Sequence, residues 1–412
     1  MLMLEYAEKR LVAFLHQIEQ LEQSDFPYCH SEEALGALEQ EVKRNLQYLR
    51  QLSDDSNPKA LQGFCSETLG LLMNYLPILG FVLRSTNVRN AFEAYSPLLG
   101  LARCLLGPEA KLVISSEWDY TPHTFLQDPL LPRFVLIGLP ASESGNALLI
   151  PLAGHELGHS LWHNDRFEAL LGDDLKNCVL NAIKARWPEY EKVYPDLRIT
   201  QTELDTDLFA VRTWQKAAAW AMKQLEESFC DIVGLFLFGD SYAHAFAYLV
   251  SPAWPGDRSP VYPNLHRRAA DLERAAAKYD VRLQSGYADT FTDFPDPSLT
   301  DQGKFLLSVA DSASASFIDR LIETVELTLT GKSAPRPIPR EITEARGRFK
   351  LEVPARQCTA FASILCAGWE ALHDEALWKD LPQAQSKDEI LREIILKSIE
   401  VHEIEQLMST TP

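Results

Sequence analysis

Residues 146–163 read NALLIPLAGHELGHSLWH, and the pentapeptide His155-Glu156-Leu157-Gly158-His159 within them constrains the chain more than any other stretch. Residues four apart on a helix lie one above the other on one face, about 6 Å apart along the axis. His155 and His159 can then reach one tetrahedral ion with their imidazoles, at about 2.0–2.1 Å, the bond length zinc takes. Glu156 falls beside that ion without ligating it, where it can take a proton from water. Leu148, Leu149, Leu152 and Leu161 surround the motif with the pattern of a buried helix, and Gly158 leaves room for close packing. Pro151 sits where the helix either begins or kinks, because its missing N–H is harmless only in a first turn.

Two histidines leave zinc short of a ligand. His163 extends the series, but eight residues on a straight helix span about 12 Å, too far for one ion. It reads as a helix-end or pocket residue. Asp165 stands where a metzincin carries its third ligand, yet that turn needs a glycine where this chain has Trp162. Two later segments have the form Glu-x-x-x-Asp, namely Glu203 to Asp207 and Glu227 to Asp231. In such a pair the glutamate ligates, and the aspartate one turn on accepts a hydrogen bond from a ligand histidine. The second pair lies in LEESFCDIVGLFLFG, an apolar setting in which carboxylates need a partner that a metal supplies. The first lies in the more polar TQTELDTD. Glu227 is favoured, Glu203 stays open as the alternative, and Glu226 reads as a solvated neighbour.

HELGH followed by EESFCDIVGLFLFG and then by YPNLHRR resembles the soluble gluzincin peptidases related to the CAAX prenyl endopeptidases. The resemblance covers roughly residues 134–270. It implies a zincin-like core in which His155, His159 and Glu227 hold zinc, Glu156 is the general base, and Asp231 supports a ligand histidine. Tyr262-Pro263 replaces the family's His-Pro segment, and Arg268 falls at about the position of its arginine. Tyr262, His266 and Arg268 are therefore all candidates to stabilise the oxyanion of peptide hydrolysis. HELGHSLWH is also similar to the ImmA/IrrE family of intracellular metallopeptidases, whose later glutamate comes sooner; Glu203-Leu-Asp-Thr-Asp-Leu-Phe-Ala matches it loosely. The expected activity is zinc-dependent hydrolysis of a peptide or protein substrate. The competing expectation is a scaffold protein with a structural or vestigial zinc site, docking through its helical regions.

The formal charge of −19 argues against nucleic-acid and anionic-membrane partners, which Lys and Arg would have to hold. Seven cysteines without a C-x-x-C pair read as mostly buried cytosolic thiols. The start, MLMLEYAEKRL, lacks the apolar core of a signal peptide. The apolar runs at 69–83 and 231–250 are too short or too charged to span a bilayer. A cytoplasmic protein with no membrane contact is expected.

The expected class is mainly α with a small β-sheet (α+β), as a helical region over 1–107, a core over 108–334 and a second helical region over 335–412. Leu4, Leu11 and Ile18 with Ala7, Phe14 and Leu21 form a stripe for intramolecular packing. Helices are expected at about 31–52, 59–84 and 88–106, after a break at 53–58 for the second. Strands are expected at 111–118 and 134–139, the latter offering an edge to substrate. A loop with Pro122, Pro129 and Pro132 separates them. Helices then follow at 165–187, 201–223, 225–250, 300–331, 359–378 and 387–408, with a proline-rich loop at 251–263 and a linker at Pro335, Pro337 and Pro339. His16, His30, His244, His373 and His402 read as ordinary helix or surface residues. Trp118, Trp162, Trp214 and Trp220 read as core, and Cys230 as a buried inert thiol.

Overall fold

The computed structural model describes residues 2–52, 57–87, 91–118, 122–125, 130–143, 145–253, 258–294, 296–379 and 386–410. Residues 53–56 of the expected break, Pro129, and 254–257 of the proline-rich loop lie outside them. The fold is mainly α with one small mixed sheet. It divides into two compact units, residues 1–103 with 107–145, and residues 104–106 with 146–412. The strands thus group with the N-terminal helices, and the C-terminal helices with the motif, rather than dividing at 107 and 334.

The first unit holds α1 (Leu2–Leu21), α2 (Cys29–Gln51), α3 (Pro58–Arg84) and most of α4 (Ala91–Leu106). The α1 stripe buries Leu11, Phe14 and Ile18 against Leu35, Leu38 and Val42 of α2 and Phe81 and Val82 of α3. One helix among the described residues, over Lys59–Arg84, is long and apolar enough to cross a membrane, with a third of its apolar window buried. The sheet has the order β1-β3-β2. β1 (Lys111–Glu117) runs parallel to β3 (Phe134–Pro140), and both bury four consecutive residues, as parallel strands do when both faces are covered. β2 (His123–Phe125) pairs antiparallel to β3 inside the expected loop. Three residues between prolines are too few to show an alternating pattern. β3 is consequently central, hydrogen-bonded on both sides, and offers no free edge over Leu136–Gly138. Trp118, expected in the core, is 84% exposed.

The second unit begins with a 3-10 turn over Ala147–Leu152 that contains Pro151, and α5 (Ala153–Asn164) starts just beyond it. α6 (Phe167–Ala185) and the short α7 (Trp187–Val193) follow. α8 (Leu208–Phe238) is one 31-residue helix where a break near 224 was expected. Its end is set by Gly239, at φ +59, a left-handed conformation that favours glycine. α9 (Asp240–Val250) and α10 (Leu265–Tyr279) complete the elements around the site. The expected 300–331 helix is two, α11 (Asp301–Ala315) and α12 (Ile318–Gly331). α13 (Pro339–Phe349) occupies part of the expected linker, before α14 (Phe361–His373) and α15 (Lys387–Thr410).

Candidate metal centre

α5 and α8 build the site by packing antiparallel. A Cβ placed on Gly158 would stand 2.8 Å from the Cα of Cys230, so a side chain there would force the helices apart. Partners descend along α8 as numbers rise along α5. His155 meets Asp231, while His159 and His163 meet Glu226.

The Nδ1 of His155 lies 2.9 Å from Asp231 Oδ1, and the Nδ1 of His159 lies 2.9 Å from Glu226 Oε1. An ionised carboxylate only accepts, so each Nδ1 carries the proton, and each Nε2 is left for other chemistry. Glu227 faces those two nitrogens. Its Oε2 is 3.4 Å from His155 Nε2, and its Oε1 is 3.7 Å from His159 Nε2. All three side chains are at most 14% exposed.

Asp231 is saturated. It accepts from His155, from the Tyr242 hydroxyl at 2.7 Å, and from Nε and Nη2 of Arg268 at 2.8 Å each. Burial would raise its pKa, but Arg268 and His155 outweigh burial and hold it well below the usual carboxylate range. Burial would also raise Glu227, whose hydrogen bond with His155 and the charges around it hold it low. His155, pushed down by burial, is carried up to about 10 by its hydrogen bonds to Asp231 and Glu227.

Glu226 is not the solvated residue expected. It is 3% exposed, and it accepts from His159 and from Lys223 at 2.7 Å. His163 Nε2 stands 3.0 Å from it, but out of hydrogen-bonding alignment. These contacts hold its pKa low against burial. With both imidazoles neutral, as ligation requires, the four carboxyl groups of Glu156, Glu226, Glu227 and Asp231 meet two cationic side chains, Lys223 and Arg268. The excess of two is the charge that a divalent cation balances.

His155, His159 and Cys230 also bring ligand atoms within 4.8 Å of one another, and this buried group could hold a metal ion. Glu227 is not in that group, but its carboxylate faces the same two histidine nitrogens and suits a metal better than the thiol does. Burial and the surrounding carboxylates push the Cys230 thiol well above its usual range. A second group, Cys29, His30 and Glu33, lies in the first unit. There His30 Nδ1 accepts the Leu112 N–H at 3.1 Å, so the neutral ring carries its proton on Nε2 and has no lone pair left for a metal.

The other expected residues separate clearly. Glu156 is 4% exposed, and its charge reaches both Cys230 and Tyr262. Tyr262 is 44% exposed, its ring covers the Arg268 guanidinium at 5.9 Å, and the charge of Glu227, then burial, raises its pKa. Arg268, its side chain 11% exposed, is bonded to Asp231 and stands 3.7 Å from Glu227. His266 is not in the site: more than half exposed, it faces Asp289 at 3.8 Å. Glu203 accepts from the N–H and hydroxyl of Thr200, and Asp207 caps α8 by accepting from Phe209 and Ala210. That acidic pair serves local turns. Asp165 faces Lys332 at 3.3 Å. Lys223, Tyr242 and the pairing of Glu226 were not foreseen; the one signal for Glu226 was a second carboxylate in an apolar helix.

No family model, curated protein or solved structure matches the chain.

Proposed function

We propose that the protein is a zinc-dependent metallopeptidase of the gluzincin type. The observation that carries this is the position of Glu227, whose two oxygens stand 3.4 and 3.7 Å from the Nε2 atoms of His155 and His159. Donors bonded at about 2.1 Å to one tetrahedral ion stand about 3.4 Å from each other, so the three side chains fit that ion. Asp231 and Glu226 fix both imidazoles with Nε2 turned to it. His155, His159 and Glu227 would hold the zinc, whose chemistry there would be to acidify water and polarise a carbonyl. Glu156, next to His155 on α5, takes the proton of the attacking water and returns it to the leaving amine. Tyr262 supplies a hydroxyl donor to the oxyanion. Arg268, bonded to Asp231 and 3.7 Å from Glu227, balances the charge of both.

Metal analysis and a peptide-library assay test this together. We expect about one zinc per chain, lost in His155→Ala. Glu156→Gln should keep the zinc and lose about 10²–10⁴-fold in rate. A well-folded protein without metal, or a Glu156→Gln variant cleaving at the wild-type rate, ends this reading.

One observation favours a second reading, a non-catalytic metal site. Cys230 Sγ is near enough to join the histidines, and a fourth protein donor closes a zinc site to substrate. Cobalt-loaded protein separates the two. A thiolate-to-cobalt band in the near ultraviolet, abolished in Cys230→Ser, supports the closed site; its absence supports the open one.

A further inference from the structure

Tyr262 lies in a loop, yet its place over Arg268 demands a fixed backbone. That backbone is held by a guanidinium. Arg258 donates from Nε at 3.2 Å and from Nη2 at 3.0 Å to the Tyr262 carbonyl oxygen. The same group grips Asp311 of α11 with Nη1 at 2.9 Å and Nη2 at 2.6 Å. The Arg258 side chain is 12% exposed and that of Asp311 31%, so the guanidinium is mostly covered while the carboxylate keeps one side to solvent. Asp311 Oδ1 also accepts from Gln224 of α8 at 2.9 Å, and Gln224 donates to the Pro260 carbonyl at 2.9 Å. Ser314 in turn donates to Gln224 at 2.7 Å. Gln224 is fully buried and sits one turn before Glu227 on α8. The loop is therefore tied to the helix turn that carries Glu227 directly at the Pro260 carbonyl, and at the Tyr262 carbonyl through Arg258 and Asp311.

We propose that Arg258 is the positioning residue for Tyr262, locking its phenol against the metal centre through Asp311 and Gln224. The role needs arginine. Only a planar fork can serve two carboxylate oxygens and a carbonyl at once, which lysine cannot do. The proposal rests on reading Tyr262 as the oxyanion donor, but its placement can be tested without catalysis.

The full chain, labelled with 3-fluorotyrosine, gives a fluorine signal for Tyr262 that Tyr262→Phe identifies. Arg258→Lys and Arg258→Gln should shift and broaden that signal and leave the other tyrosines in place. Asp311→Asn should do the same from the far side of the clamp. A Tyr262 signal unchanged in shift and width in both Arg258→Gln and Asp311→Asn overturns the proposal, and so does a collapse of every tyrosine signal, which would make Arg258 a prop of the fold. With zinc and a cleaved fluorogenic peptide, Arg258→Gln should lose about 10²-fold in kcat at unchanged KM. The Arg258→Gln/Tyr262→Phe pair should then be no slower than Tyr262→Phe alone. Additive losses overturn the proposal. Absence of any cleavage sinks the peptidase reading instead, while the fluorine signal still decides the clamp.

Discussion

Asp231 is tolerated inside an apolar helix because its oxygens accept four hydrogen bonds, from His155, Tyr242 and twice from Arg268. An amide cannot accept them all, since its NH₂ would face donors. Asp231→Asn should therefore weaken zinc binding about 10–100-fold, read by competition with a chromophoric chelator. An unchanged affinity would remove Asp231 from the support of His155. At this scale the chain was legible where the geometry is local. His155, Glu156 and His159 follow from one helical turn, and Glu227 with Asp231 from another. Glu226 was misread because adjacent residues point about 100° apart on a helix. Which of two neighbouring carboxylates is buried depends on where another helix lies, and α5 covers both. Tyr242 comes from beyond the Gly239 turn, out of reach of any spacing argument.

The contact of α5 with α8 is the element on which the site depends. Gly158→Val would set a Cβ 2.8 Å from the Cα of Cys230, against backbone that cannot swing aside. Overpacking of this kind costs about 1–3 kcal/mol, and the parting of the helices should pull the histidines from Glu227. Urea unfolding and zinc uptake should fall together; loss of neither would show that the helices can yield. Another contact, between α9 and α14, makes stability depend on pH. His244 stacks on Trp369 at 5.3 Å and faces His373 at 4.8 Å. Burial, then His373, pushes His244 down to about 4 from 6.5. Between those values the unfolded chain binds a proton that the folded chain refuses, so stability is lost as pH falls from 6.5 to 4. The loss is about 3 kcal/mol. As pH falls from 6.5 to 4, the urea midpoint of the wild type should drop relative to that of His244→Phe; an equal pH slope in both would refute the assignment. Helix periodicity showed these elements, but not their ends. The helix at 300–331 is two because the chain turns at 316–317, and no proline or glycine marks the turn.

At the scale of the molecule, the C-terminal helices are part of the unit that carries the candidate metal centre. Trp369 of α14 donates its indole N–H to the Leu148 carbonyl at 3.0 Å, on the turn that leads into α5. Phe361 packs edge-on against Phe238 at the end of α8. Phe361, Ile364, Leu365 and Trp369 are all at least 94% buried. At about 1.5–3 kcal/mol each, losing them approaches the whole stability of an ordinary domain, about 5–15 kcal/mol. A chain ending at residue 334 should therefore aggregate or unfold at room temperature in size-exclusion and circular-dichroism measurements. A monomeric truncation with the full-length melting temperature would make these helices an independent addition. By itself the sequence determined the helical class, the pair of histidines with their glutamate, and the acidic helix that faces them, because each is written within one or two turns. The tertiary structure decided which carboxylates face the histidines and which loop tyrosine comes to them. It decided too that β3 is central and that the C-terminal helices belong with the site. Those outcomes depend on which faces meet, and pairing between distant segments leaves no period in the chain.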